Sequence, residues 1–204
     1  MKLYAISDLH IDHDSNRMEM ENLPEYPEDW LIVAGDVCST RSHLRFAFRV
    51  LTEKFARVIW VPGNHELWST RSDDNRMGEA KYMDLVDICH DFGVISPEDP
   101  YVMWEGEGGP HHIVPLFLLY DYSFRPDDVE QENAVQWAVD AGVLCRDEGL
   151  LKSAPYKDKA AWCHARYAYT ISRMSELADN IPQIIVNHFP LRYDLVRLPR
   201  IPRF

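Results

Sequence analysis

The chain has 204 residues, a length that suits one domain with a sizeable core, and its composition is that of an ordinary globular protein. Its 33 Asp and Glu residues against 21 Lys and Arg give a formal net charge of -12, which argues against long nucleic acid or an anionic membrane as the partner. An acidic protein still binds phosphate where bound cations dominate the local field, so metal ligands are the first pattern to seek.

The first part of the chain alternates apolar runs with polar loops. Three short runs, rich in β-branched and aromatic side chains, predict strands buried on both faces: residues 2–7, 30–34 and 58–61. A helix is predicted over residues 41–54, because Ser39 or Thr40 can cap it and apolar residues recur along one side. Strand, helix and strand in this order imply a right-handed crossover with parallel pairing.

The rest of the chain continues with elements of both kinds. Helices are predicted over residues 79–92, 129–141 and 157–179, and strands over residues 101–104, 113–119 and 184–186. No internal repeat, low-complexity tract or linker divides the sequence. We therefore predict a single α/β domain over residues 1–204.

Four of the predicted strands end directly before side chains that bind metals. Asp8 and His10 follow the first of them, and Asp36 follows the second in a Gly-Asp turn. Asn64 comes shortly after the third, and His188 comes shortly after the strand at residues 184–186. Ligands of an open α/β sheet bind beyond the carboxyl ends of its strands, so these side chains should converge on one crevice.

The proposed ligand set suits particular metals. Carboxylate, imidazole and amide oxygen together favour Mn, Fe or Zn, and Asp36 can bridge two cations through its two oxygens. Taken singly, Asp8 is as well explained by a helix cap, Asn64 by a turn and His188 by a core position. The ordered series favours the ligand interpretation for all of them.

The complete motif series is D-x-H at residues 8–10, G-D at residues 35–36, G-N-H-E at residues 63–66, and a later His188. This series resembles that of the calcineurin-like metallophosphoesterase family, and the resemblance spans nearly the whole chain. It implies an α/β fold in which a central two-sheet β-sandwich is flanked by helices.

The resemblance also implies how two divalent metal ions would be held. Asp8, His10 and Asp36 would bind the first metal. Asp36, Asn64 and His188 would bind the second, so Asp36 would be shared between the two.

The remaining motif residue, His65, is not a ligand in the family pattern. The resemblance implies that it contacts the substrate phosphate and protonates the leaving group. The implied reaction is hydrolysis of a phosphoester by a hydroxide that bridges the two metals. We expect the substrate to be a mono- or diester of a small metabolite or nucleotide, and the oligomeric state stays open.

One family motif does not occur in the chain. Family members carry a G-H-x-H motif after the later histidine, and none precedes Phe204 here. Either the full protein continues beyond Phe204, or the chain is a natural variant with an incomplete site. Residues 198–204 are basic and Pro-rich, as in an active-site loop, and no closing strand follows them. We therefore expect a missing C-terminal segment with further strands.

Three further side chains are candidates for contacts with the substrate. Arg17 can grip a phosphate, although a surface salt bridge explains it equally well. Arg192, shortly after His188, can recognise an anionic substrate or simply balance the acidic surface. Trp68 lies near His65 in the sequence and can form an aromatic wall or pack in the core.

The sequence also bears on location and on a second functional hypothesis. The apolar stretch at the N-terminus is too short for the apolar region of a signal peptide, and no apolar run approaches transmembrane length. Four cysteines without a CxxC pair suit reduced thiols, so we expect a cytoplasmic protein. The alternative to an enzyme is a scaffold or binding module that keeps the fold and lacks turnover.

Overall fold

Two three-stranded sheets form the centre of the fold. The computed structural model describes residues 1–69, 76–178 and 180–196. The strands in these ranges are β1 (Leu3–Ile6), β2 (Tyr26–Ala34), β3 (Phe55–Val61), β4 (Val102–Trp104), β5 (His111–Pro115) and β6 (Gln183–Val186). The helices are α1 (Asp14–Glu21), α2 (Arg41–Lys54), α3 (Asn64–Leu67), α4 (Gly78–Asp91), α5 (Ala134–Asp140), α6 (Asp147–Leu150) and α7 (Lys159–Met174), with short 3-10 helices at Gln131–Asn133 and Tyr193–Leu195.

The first sheet has the order β1-β2-β3, and both of its pairings are parallel. Helix α2 connects β2 to β3, so the parallel pairing predicted for this crossover is confirmed. The helix begins where predicted because the Thr40 hydroxyl accepts a hydrogen bond from the His43 backbone N–H at 3.3 Å. Its buried residues recur on one face, which directs it onto the sheet: Leu44, Ala47, Phe48, Val50 and Leu51.

The second sheet has the order β4-β5-β6, with β4 antiparallel and β6 parallel to β5. Strand β5 ends at Pro115, so it is shorter than the strand predicted over residues 113–119. Beyond that point the side chain of Asn187 forms hydrogen bonds with the backbone of Leu118, where a strand would bond to a neighbouring strand. Its Oδ1 accepts from the Leu118 N–H at 3.0 Å, and its Nδ2 donates to the Leu118 carbonyl at 3.1 Å.

The alternation of side chains along β2 divides the core into layers. Leu31 and Val33 belong to a large cluster shared with α2 and α4, whereas Trp30 and Ile32 belong to a second cluster. The second cluster also contains Ile113 and Val186 of the other sheet, so it lies between the two sheets. A third cluster joins β5 and the residues after it to the C-terminal end of α7: Val114, Leu116, Leu118, Met174 and Leu177. The expected two-sheet sandwich flanked by helices is therefore confirmed.

Differences from the predicted elements lie mainly in short segments. Helices α1, α3 and α6 were not predicted, and α7 is shorter than the predicted helix at residues 157–179. The loop predicted at residues 198–204 lies outside the described residues. None of the helices described combines the length and the apolarity that a membrane-spanning segment requires.

Candidate metal centre

The polar turns that follow β1 and β2 are joined to each other by backbone hydrogen bonds. The N–H of Asp8 donates to the Gly35 carbonyl and that of His10 to the Asp36 carbonyl, each at 3.0 Å. Parallel pairing thus continues past the strand ends, and it fixes the D-x-H segment against the Gly-Asp turn. The two motifs meet at one edge of the first sheet, as the sequence predicts.

Three of the predicted ligands have left-handed backbone conformations. The φ angles are 57° at Asp8, 42° at His10 and 54° at Asp36. Residues other than glycine seldom adopt this region, and Asp does so more readily than most. Such conformations persist only where the surrounding structure holds them, and they concentrate at functional sites.

Two glycines allow the close approach of the turns for different reasons. Gly35 has a φ of +85°, and a Cβ there would lie 2.6 Å from His188 Nδ1. Gly63 has an ordinary φ of -97°, so its backbone does not demand glycine. A Cβ at Gly63 would instead lie 2.5 Å from the Asp36 backbone nitrogen and collide with the Asp36 carboxylate. Any side chain at either position would push ligands apart.

Glu66, the last residue of G-N-H-E, connects the turns through hydrogen bonds to three backbone N–H groups. Its side chain is 2% exposed, and Oε2 accepts from the N–H groups of Asp36 at 3.1 Å and Gly63 at 3.0 Å. Oε1 accepts from the Val37 N–H at 2.8 Å. Burial, followed by the nearby Asp36 carboxylate, raises the pKa of Glu66 to about 7 against the lowering effect of the N–H donors. The sequence analysis gave this residue no role of its own.

The side chains form two groups that share Asp36. One group is His10, Asp36 and His65, and the other is Asp8, Asp36 and His188. Within each group, one nitrogen or oxygen atom per residue lies within 4.8 Å of the others. One further carboxylate and three imidazoles lie around the shared Asp36, a set of donors that fits divalent Mn, Fe or Zn. The geometry therefore suits a pair of cations, with Asp36 between them.

His188 is oriented so that one ring nitrogen faces the shared carboxylate. Its Nδ1 lies 2.8 Å from the Ala34 carbonyl, which can only accept, so Nδ1 carries the proton. The other ring nitrogen, Nε2, lies 3.6 Å from Asp36 Oδ1. A backbone partner on the far nitrogen is the usual arrangement for a metal-binding imidazole.

His65 lies beside the ligands and against an aromatic wall. Its backbone N–H donates to Asp36 Oδ1 at 3.0 Å, and its Nε2 lies 3.9 Å from Asp36 Oδ2. The ring stacks on Trp68 with 3.8 Å between centroids and 30° between planes, and its Nδ1 lies 3.4 Å from Ser39 Oγ. Burial lowers the pKa of His65. Proximity places His65 among possible ligands, so its role as an acid stays a prediction.

Asn64 is held by a residue that the sequence analysis missed. Its Nδ2 donates to Asp147 Oδ1 at 3.0 Å, and the Trp68 indole N–H donates to the same oxygen at 2.6 Å. Asp147 lies 83 residues after Asn64, outside every recognised motif. No local pattern in the sequence marks it.

The two arginines predicted to bind substrate are engaged elsewhere. The Arg17 guanidinium pairs with Asp14 and lies 3.3 Å from His43 Nε2. Arg192 is exposed and pairs with Asp194 at 2.9 Å. The salt-bridge alternative thus describes the partners of Arg17, and substrate binding by either residue stays a prediction.

Comparison with known proteins supports the fold and the motifs. Residues 1–197 match the family model described as calcineurin-like phosphoesterase. The chain belongs to this family. It is 47% identical, over 192 residues, to the [Acyl-carrier-protein] phosphodiesterase PptH of Mycobacterium tuberculosis. The alignment covers 93% of this chain and 59% of that relative, so the chain spans about three fifths of its length.

A solved structure agrees with this relationship. The crystal structure of Phosphopantetheinyl Hydrolase (PptH) from Mycobacterium tuberculosis superposes with a TM-score of 0.91 at 45% identity. The match covers 97% of this chain and 72% of that one. The described fold is therefore that of a calcineurin-like phosphoesterase.

Proposed function

We propose that this chain hydrolyses a phosphoester bond with two divalent cations held at the carboxyl edge of the first sheet. The observation that carries the proposal is the pair of ligand groups that share Asp36. Asp8, His10, Asp36, Asn64 and His188 would hold the cations, with Asp36 between them. Metal identity among Mn, Fe and Zn is left open.

The protein's own groups have separate tasks in the proposed reaction. When bound, the cations would neutralise the phosphate and lower the pKa of a water molecule that attacks it. Asp36 would hold the two ligand groups together, because its carboxylate belongs to both. His65, whose ring stacks on Trp68 and whose backbone N–H donates to Asp36, would contact the phosphate and deliver a proton to the leaving oxygen.

We further propose that the substrate is a phosphopantetheinyl group on an acyl carrier protein. The support is the similarity to the Mycobacterium tuberculosis relative, an acyl-carrier-protein phosphodiesterase that is 47% identical over 93% of this chain. This choice departs from the small metabolite or nucleotide favoured by the sequence alone. The cytoplasmic location belongs to the same proposal, and the four cysteines are free thiols, as a reducing compartment requires.

The scaffold hypothesis is less well supported by the site. A protein that only binds a partner has no need for a histidine that stacks on Trp68 and is bonded through its backbone to the carboxylate shared by two ligand groups. The assembled side chains around Asp36 therefore favour the enzyme.

The test uses the 204-residue chain loaded with Mn and desalted, with phosphopantetheinylated acyl carrier protein as substrate. Elemental analysis should find about two metals per chain. Asp36→Ala should lose both the metal and the activity. His65→Ala should keep the metal and lose turnover by about 10²–10⁴-fold, the usual cost of removing a general acid. Normal metal content in Asp36→Ala, or normal turnover in His65→Ala, would contradict the assigned roles.

A further inference from the structure

A buried carboxylate lies just outside the proposed ligand set. Asp147 begins α6 and is 7% exposed. Its Oδ1 accepts two hydrogen bonds, one from Asn64 Nδ2 at 3.0 Å and one from Trp68 Nε1 at 2.6 Å. Asn64 belongs to the G-N-H-E motif, and Trp68 follows that motif closely. One carboxylate thus contacts a proposed ligand and the aromatic wall behind His65.

The contact with Asn64 decides which end of its amide is free for a cation. A carboxylate oxygen only accepts hydrogen bonds, so it pairs with the NH₂ end of an amide and not with its oxygen. A cation requires the oxygen end. Asp147 therefore selects the amide rotamer that leaves Asn64 Oδ1 for metal binding.

The contact with Trp68 reaches the second functional side chain. The indole N–H can only donate, a buried indole usually finds an acceptor, and Trp68 is 9% exposed. Its bond to Asp147 fixes the plane of the indole, on which the His65 ring stacks at 3.8 Å. The orientation of His65 thus depends on the same carboxylate as the orientation of Asn64.

The backbone holds α6 in place for this role. The Ser69 N–H donates to the Leu150 carbonyl at 2.8 Å, and Trp68 forms an isolated antiparallel bridge with Leu151. These bonds attach the end of α6 to the residues that follow α3. The carboxylate is therefore positioned by main-chain contacts and does not rely on its own two hydrogen bonds.

We propose that Asp147 is a positioning residue of the metal centre, one that orients Asn64 for the cation and, through Trp68, orients His65. This inference rests on the proposed function, because it takes Asn64 as a ligand. Asp147 acts through other residues and would not itself touch metal or substrate.

The test measures Mn affinity by electron paramagnetic resonance of the free ion, which does not depend on turnover. Asp147→Ala should weaken Mn binding by about 10–100-fold, the usual effect of removing a partner of a metal ligand. Asp147→Leu, which keeps the volume without an acceptor, should weaken it similarly. Asp147→Asn retains one oxygen that can accept both bonds, so it should recover most of the affinity.

Glu148 provides a matched control in the same helix. Its carboxylate accepts from Tyr122 at 3.0 Å and pairs with Lys159 at 2.6 Å, so its loss disturbs the packing of α6. Glu148→Ala should therefore lower stability while leaving the Mn affinity unchanged. An equal loss of affinity in Glu148→Ala would show that any disturbance of α6 affects the site, and it would overturn the specific role of Asp147.

A double-mutant cycle with Asn64 separates the inference from the function on which it rests. In the Asn64→Ala background, Asp147→Ala should cause no further loss of Mn affinity, because the group it orients is gone. Two outcomes would overturn the inference and leave the proposed function intact. The first is an equal loss of Mn affinity from Asp147→Ala in both backgrounds. The second is normal Mn binding in Asp147→Ala and Asp147→Leu while Asn64→Ala is impaired. Normal Mn binding in Asn64→Ala would remove the ligand assignment and the inference together.

Discussion

The two sheets contribute to the metal centre in different ways. The edge of the first sheet carries most of the predicted ligands, and its turns are joined by backbone bonds and by the three hydrogen bonds of Glu66. Of the predicted ligands, the second sheet supplies His188, whose ring is bonded to the Ala34 carbonyl, while the side chain of the neighbouring Asn187 bonds to the backbone of Leu118. The first sheet therefore builds the site, and the second completes it.

The largest expected effect tests whether the first-sheet edge depends on Glu66. Glu66→Ala removes the acceptor for three backbone N–H groups, those of Asp36, Val37 and Gly63. Buried unsatisfied donors and the cavity together should lower the free energy of unfolding by about 3 kcal/mol or more. Urea denaturation of the metal-free protein measures this loss. The exposed Glu53 of α2 gives the control, and a Glu66→Ala protein as stable as Glu53→Ala would show that the turns hold without the carboxylate.

The next effect tests how closely the second sheet must approach the first. Gly35 and Gly93 both have positive φ, at +85° and +67°, so alanine strains the backbone at either position. A Cβ at Gly93 would meet nothing within 4 Å, whereas one at Gly35 would lie 2.6 Å from His188 Nδ1. Gly35→Ala should therefore cost about 1–3 kcal/mol more than Gly93→Ala in urea denaturation.

The pair of glycine variants also separates strain from displacement of the ligand. Only Gly35→Ala should weaken Mn binding, because only that change pushes against His188. Equal stability and equal Mn affinity in the two variants would mean that His188 is free to move away without consequence.

The smallest effect concerns the surface beyond the second sheet. Arg192 is exposed and already pairs with Asp194, so Arg192→Ala should leave the urea midpoint and the Mn affinity unchanged. A raised KM with an unchanged kcat would support the predicted role of Arg192 in substrate binding, and an unchanged KM would contradict it. Arg192→Lys would then distinguish a need for charge from a need for the planar guanidinium.

The ligand-bearing turns were predictable because their signal is local. Each proposed ligand follows a short apolar run, and the run, the turn and the ligand occupy fewer than a dozen consecutive residues. Parallel strands then bring their carboxyl ends together without further information. The structure places Asp8, His10, Asp36, His65 and His188 in two adjoining groups that share Asp36. Their division differs from the ligand sets implied by the family resemblance, which pair Asp8 with His10 and leave His65 out.

The supporting residues were not predictable because their partners are distant in the chain. Asp147 is 79 residues from Trp68 and 83 from Asn64, and its helix has only four residues. An Asp in such a segment has no feature that separates it from any other helix-starting carboxylate. Glu66 lies inside a recognised motif, yet its contact with Val37 depends on how the strands align.

Two segments differ from their predictions for reasons of tertiary context. No helix was predicted between β1 and β2, whereas α1 begins at Asp14 and buries Met20 against the core. The strand predicted to reach residue 119 ends at Pro115, and the Asn187 amide binds the backbone of Leu118 beyond it. Neither the buried methionine nor the distant amide leaves a periodic signal in the sequence.

The hydrogen bond from His188 Nδ1 to the Ala34 carbonyl joins the two sheets at the site itself. A fluctuation that parts the sheets breaks this bond and withdraws one imidazole from Asp36, while the first sheet keeps its own pairing. Any cation held at the proposed centre would then be released by partial opening, without global unfolding. Its exchange rate and the amide hydrogen exchange of β5 and β6 would share one opening event, so the lifetime of the loaded centre would report how firmly the two halves of the fold stay closed.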